Sequence, residues 1–200
     1  MKKKVLSALV ATMVVGSVTA MAAPAEIQEG QWNITMGSSI SPSADIGGWE
    51  ADSDCGFYGN ITYGLTDDWA IQYDYSHYDY NDGWAAAKGD ASEVNVLYKL
   101  SPNLNAYAGY VYYGEDYGGY GYDTNGYQVG LQGWYPIADK VKLFGKAGIG
   151  NNSQIYELGA GYALADNWDI DVSYRYAEYQ DVGGIDNEFK GVRAGISTTF

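Results

Sequence analysis

The chain has 200 residues, with 25 acidic against 11 basic side chains and a formal charge of −14. This excess of carboxylates repels phosphate and excludes nucleic acid as a partner. The length suits one domain, and 21 Tyr against only 4 Pro favours strands and apolar–water boundaries.

Residues 1–22 read as a secretory signal. Lys2, Lys3 and Lys4 form the positive end, a mostly apolar run follows, and Ala20-Met21-Ala22 fits a small-x-small cleavage site. The expected mature domain is therefore 23–200, and without those three lysines the balance becomes −17. No later stretch approaches the roughly 18 to 20 apolar residues of a spanning helix. Cys55 is the one cysteine, expected as a free thiol because it has no partner within the chain.

A turn signal then recurs at Leu65-Thr66-Asp67-Asp68-Trp69, Leu100-Ser101-Pro102-Asn103-Leu104 and Leu164-Ala165-Asp166-Asn167-Trp168, with a looser copy at Pro136-Ile137-Ala138-Asp139-Lys140. In each, Asp, Asn or Pro makes a short turn before a new strand. Four such turns, with both termini on one side, predict ten strands: 30–39, 56–65, 69–80, 91–100, 104–114, 126–135, 141–150, 155–164, 168–180 and 188–200. Merging 141–164 into one hairpin arm gives an eight-strand alternative, but two adjacent runs there favour ten. Residues 40–55, 81–90, 115–125 and 181–187 read as longer loops rich in Gly, Asp and Asn.

The last strand carries the most specific pattern. Phe200, Thr198, Ile196, Ala194, Val192 and Lys190 share one mostly apolar face, and Thr199, Ser197, Gly195, Arg193, Gly191 and Phe189 share the other, mostly small or polar. A strand of this kind ending the chain on Phe200 resembles the small outer-membrane β-barrels of Gram-negative bacteria, of the opacity and porin type. The resemblance implies an all-β, transmembrane, antiparallel up-and-down barrel in the outer membrane. It also implies Phe200 as an assembly signal read by the barrel assembly machinery, and outer-membrane lipid as a partner.

Alternation alone does not say which face is outside, since a soluble barrel puts its apolar face inward. Trp32, Trp69 and Trp168 open strands where one aromatic girdle would lie, and Tyr residues cluster towards the opposite strand ends. With the apolar face outward, Asp74, Glu93, Glu157, Asp169 and Asp171 point into the lumen, as do Lys99, Lys142, Lys146, Arg175 and Arg193. Charges in a confined lumen need partners, so these ten are predicted to form an ion-pair network that fills or constricts the barrel.

His77, near Ser76, Asp74 and Asp79, suggests hydrolase chemistry, but residues 74 and 77 of one strand face opposite ways. The chain also lacks the paired acidic motifs of the outer-membrane proteases it would then resemble. Glu115-Asp116 and the acidic 45–54 stretch lack the ligand spacing of a calcium loop and read as solvated charge. No metal or cofactor is expected. The predicted role is therefore structural or surface-interacting, with little or no conductance and an unidentified surface ligand possible. The alternatives are a small diffusion pore and, last, a hydrolase.

Overall fold

The computed structural model describes residues 26–53, 55–81 and 86–200; the candidate signal at 1–22 lies outside them. Eleven strand segments form one sheet: β1 (Trp32–Ile46), β2 (Trp49–Ser53), β3 (Phe57–Gly64), β4 (Trp69–Asn81), β5 (Ala86–Ser101), β6 (Leu104–Tyr117), β7 (Tyr120–Ala138), β8 (Val141–Gly150), β9 (Ser153–Ala165), β10 (Trp168–Val182) and β11 (Ile185–Thr199). Each pairs antiparallel with its neighbours, and β11 pairs with β1 from Asn33↔Thr199 to Ile46↔Asn187, which closes the sheet into a barrel. Phe200 completes the seam. Trp32 N donates to its carbonyl at 2.7 Å, and its own N–H donates to the Trp32 carbonyl at 2.9 Å.

The barrel has ten staves, because β2 and β3 form one interrupted stave. Both lie between β1 and β4, with β3 pairing along the lower part of each and β2 along the upper part. Exposed Cys55 sits in the break, and Gly56 bridges it by accepting from Ser39 N at 2.8 Å. The eight-strand alternative fails because 141–164 contains two separate strands, β8 and β9.

All four predicted short turns are present, at 65–68, 102–103, 139–140 and 166–167. The opposite end differs from expectation. The stretches 40–55, 115–125 and 181–187 are mostly strand, with turns at Gly47-Gly48, Gly118-Gly119 and Gly183-Gly184; of the predicted loop 81–90, residues 86–90 belong to β5 and 82–85 lie outside the described residues. Both glycines of each pair have positive φ, between 60° and 92°. This is the tight turn whose twist matches that of the flanking strands, and it disfavours residues with a Cβ.

Two interiors are stacked inside the wall. On the turn side, the inward positions of β10 are Asp169, Asp171, Ser173 and Arg175, while Ile170, Val172 and Tyr174 face out. Further along the same strand, inward Ala177 and Tyr179 are buried, while Glu178 and Gln180 face out. β11 makes the same change, from inward Ser197 and Arg193 to inward Phe189. The barrel is thus apolar outside and polar inside over its lower half, and the reverse over its upper half. That inversion is why the upper arms do not carry the apolar-out pattern of the lower strands.

Candidate functional site: the filled lumen

The polar belt is built from inward side chains at mid-strand. Glu93 of β5 is its centre, with a side chain only 2 % exposed. It accepts from Lys146 Nζ of β8 at 2.8 Å, Arg175 of β10 at 2.6 Å and Gln128 Nε2 of β7 at 2.9 Å. Lys146 also reaches Asp74 of β4 at 3.0 Å, and Arg175 reaches Glu157 of β9 at 3.4 Å. Acids and bases therefore interleave across five staves, as confined charges require. Further hydrogen bonds hold the two outer carboxylates, from Asn60 to Asp74 at 2.6 Å and from Ser173 to Glu157 at 2.6 Å.

The remaining predicted lumen residues stand apart from this centre. Arg193 donates to Ser76 at 2.8 Å and lies 4.6 Å over the Tyr58 ring, and Tyr58 in turn donates to Asp171 at 3.2 Å. Lys142 is buried lower down, 5.9 Å from the Trp134 ring, with Asp169 as its charged neighbour. Lys99 is not in the belt. It lies at the turn end, donating to the Ile27 carbonyl at 2.9 Å with Glu26 at 3.8 Å. Between belt and turn end lies a cavity of about 60 Å³, lined among others by Thr35, Gln72, Asp74, Asp171 and Arg193.

Above the belt is a layer that the sequence reasoning missed. Tyr78, Tyr80, Tyr113, Tyr179 and Phe189 are buried together with small apolar side chains from the surrounding strands. Tyr113 stacks on Tyr179 at 4.5 Å and 6°, and Tyr78 stacks on Phe189 at 4.1 Å and 19°. Stacked rings fill cross-section efficiently and hold one another in place. Glu115, expected as solvated loop charge, is buried here. It accepts from Tyr80 at 2.5 Å, Tyr113 at 3.1 Å and Asn187 at 2.6 Å. All five rings lie within the predicted strand spans, on the inward parity, so reading that parity through to the strand ends would have found them; Glu115 lies one residue beyond the predicted strand 104–114. Over the top, the Tyr122 ring lies where a side chain on Gly183 would go, and Ile185 packs on Gly47, so neighbouring arms lean together.

His77 faces outward on β4. Its Nδ1 is 2.7 Å from Asp90 and its Nε2 is 3.2 Å from Asp79. Both ring nitrogens therefore meet carboxylates, and adjacent Ser76 points into the lumen towards Arg193. Asp74, the other candidate partner, is inside with Lys146. The grouping lacks the nucleophile–base contact of a hydrolase.

On the exterior, Trp32, Trp69 and Trp168 project outward at the turn-side strand starts, exposed by 41 %, 46 % and 44 %. Trp32 packs on Tyr63 at 4.5 Å, and Trp69 packs on Tyr98 at 4.8 Å. Beyond them runs a band including Ile71, Val94, Val96, Ile170, Val172 and Ile196, all exposed. An apolar band over a polar interior is the arrangement of a transmembrane β-barrel.

The fold is that of the bacterial outer-membrane β-barrels. The structure of the outer membrane protease OmpT from Escherichia coli is similar, with a TM-score of 0.62 and 15 % identity, over 91 % of this chain and 99 % of that one. Neisserial surface protein A is similar with a TM-score of 0.51 and 17 % identity, over 86 % of this chain and 100 % of that one. At such identities the likeness concerns the fold. No family model matches the chain, and no curated protein does.

Proposed function

We propose that this protein is a closed outer-membrane barrel that serves envelope structure or surface interaction and conducts little or nothing. The aromatic layer carries this reading: five stacked or tilted rings occupy the upper lumen, with the interlocked charges of Glu93, Lys146 and Arg175 beneath them. A diffusion pore needs a continuous wet path, and side chains fill this one. Nine of the ten charged residues then serve as filling and bracing, with Glu93, Lys146, Arg175, Asp74 and Glu157 at their centre, while Lys99 holds the segment at the turn end.

Catalysis is set aside because His77 is held between two carboxylates on the outer wall. Lipid is the partner of the apolar band. Trp32, Trp69 and Trp168 mark its periplasmic edge, and Phe200 serves as the signal for the assembly machinery. Deleting Phe200 should lower the outer-membrane level while leaving signal cleavage unchanged.

The test is permeation. Liposomes containing the refolded protein should take up small sugars no faster than empty ones. Swelling at the rate of a general porin would refute the closed-barrel reading.

A further inference from the structure

The turn-side half of the lumen holds polar atoms that the protein leaves without partners. They include Thr35 Oγ1, Gln72 Oε1, Asn105 Oδ1, Asp169 Oδ2, Asp171 Oδ2 and Ser197 Oγ, all on residues no more than 4 % exposed. Buried polar groups in native proteins are satisfied, and water does this where protein does not. Thr35, Gln72 and Asp171 line the cavity of about 60 Å³, which has room for a few water molecules. Partnerless atoms also occur in the ring layer, at the Tyr78 and Tyr179 hydroxyls and Asn187 Oδ1, but the cavity beside Tyr78 and Phe189 is only about 10 Å³, so the lower lumen is the wetter compartment.

At its turn-side mouth, against the ends of β3 to β6, lie residues 26–31, which are not part of the wall. The segment turns at Gly30, whose φ is 76°, and tucks beneath the barrel. Ile27, 3 % exposed, inserts among Ala70, Leu97 and Tyr107. Among the described residues, Lys99 Nζ donates to the Ile27 carbonyl at 2.9 Å and lies 3.8 Å from Glu26, Glu29 N donates to Asp67 at 3.3 Å, and a backbone pair joins Gly30 N to the Gly64 carbonyl and Gly64 N to the Gln31 carbonyl, each at 2.9 Å. The segment also passes close to Gly64, where a Cβ would collide with the Gln28 carbonyl.

We propose that residues 26–31 form a latch over a blind, hydrated half-channel, whose water and small polar solutes exchange with the periplasm when the latch opens. A segment held by one apolar side chain and a few rim hydrogen bonds opens far more readily than the ring-filled end, whose opening requires unstacking of buried aromatics. Short turns and chain termini face the periplasm in barrels of this kind, which gives the latch its side. The inference rests on the closed upper end argued under the proposed function.

Thiol labelling tests it. Ser197→Cys places a near-isosteric thiol in the wet compartment, in a Cys55→Ser background that removes the native one. A small charged methanethiosulfonate should react slowly with this protein. Gly64→Ala and, separately, Lys99→Gln should each speed the reaction about tenfold, which corresponds to losing roughly 1.4 kcal/mol of latch contacts. Gel mobility before and after boiling verifies that each variant is folded, and the milder Lys99→Gln keeps the test alive if Gly64→Ala misfolds. Unchanged rates in both variants would overturn the latch. So would acceleration by Tyr113→Ala alone, since solute would then enter from the ring-filled end. Fast labelling of the Ser197→Cys/Cys55→Ser protein itself, without bilayer conductance, also overturns the latch, whereas fast labelling with conductance overturns the closed barrel itself.

Discussion

The two halves of the lumen solve the same packing problem with opposite chemistry. Around Glu93 the wall encloses charge, and Lys146, Arg175, Asp74 and Glu157 neutralise one another. Around Tyr113 and Phe189 it encloses rings and small apolar side chains, as a water-soluble barrel does. The solvent outside accounts for the difference. Where lipid bathes the wall, apolar residues must face out and the polar ones have only the lumen. Where the arms rise beyond lipid, water takes the polar face and the lumen becomes an ordinary hydrophobic core. One closed sheet thus changes from an inverted protein to a conventional one partway along each stave. The dry half is the seal, and the charged half has space for water.

The largest effect expected from a single change is at the centre of the charged half. Glu93→Ala removes the acceptor shared by Lys146 and Arg175 and leaves two cations under-compensated. The cost should be about 3 to 5 kcal/mol, the range for breaking a buried pair, read as a lowered midpoint in urea unfolding followed by gel mobility. The two arginines then sharpen the contrast within that half. Arg175→Ala breaks contacts to Glu93 and Glu157 and should cost nearly as much as Glu93→Ala. Arg193→Ala loses a hydroxyl partner and a ring contact beside the cavity, and a cation close to Glu157 and Asp171. It should cost about 2 to 3 kcal/mol, less than Arg175→Ala because among the described residues Arg193 makes no direct carboxylate contact. Equal costs for the two would mean that the lumen does not grade from dry to wet as described.

Smaller effects belong to the arms. Gly184→Ala, at φ 92°, should cost about 1 kcal/mol because a Cβ is disfavoured there. Lys190→Ala removes an exposed pair with Glu188 at 2.8 Å and should change the unfolding midpoint by no more than about 1 kcal/mol. A large loss there would show that the arm surfaces bear on the seal.

The lower half is legible in the sequence because lipid imposes a strict period of two. Trp168, Ile170, Val172 and Tyr174 alternate with Asp169, Asp171, Ser173 and Arg175, and polar turns such as Asp166-Asn167 punctuate the strands. The inward parity of Glu93, Lys146 and Arg175 follows from that alternation, but their mutual contacts do not, because strands far apart in sequence bring them together. The upper half is harder to read, since the apolar face changes sides. Glu178, Glu188 and Lys190 occupy outward positions of the predicted strands where the lower half carries apolar residues, while Tyr179 and Phe189 hold the inward positions. The pairs Gly47-Gly48, Gly118-Gly119 and Gly183-Gly184 were the available signal, each marking the tip of a hairpin whose arms continue the staves. Lys99 illustrates another limit. Its inward parity is legible, but its partner is the tucked segment 26–31, whose path no strand period describes.

The aromatic seal is tested most directly by single-channel recording in planar bilayers on the parent beside a Tyr113→Ala/Phe189→Ala variant shown to be folded. The parent should give no discrete conductance steps, and the variant, with the stacked layer opened, should give measurable ones. Steady ohmic steps in the parent, unchanged in the variant, would contradict the claim that the upper half of the lumen closes this barrel.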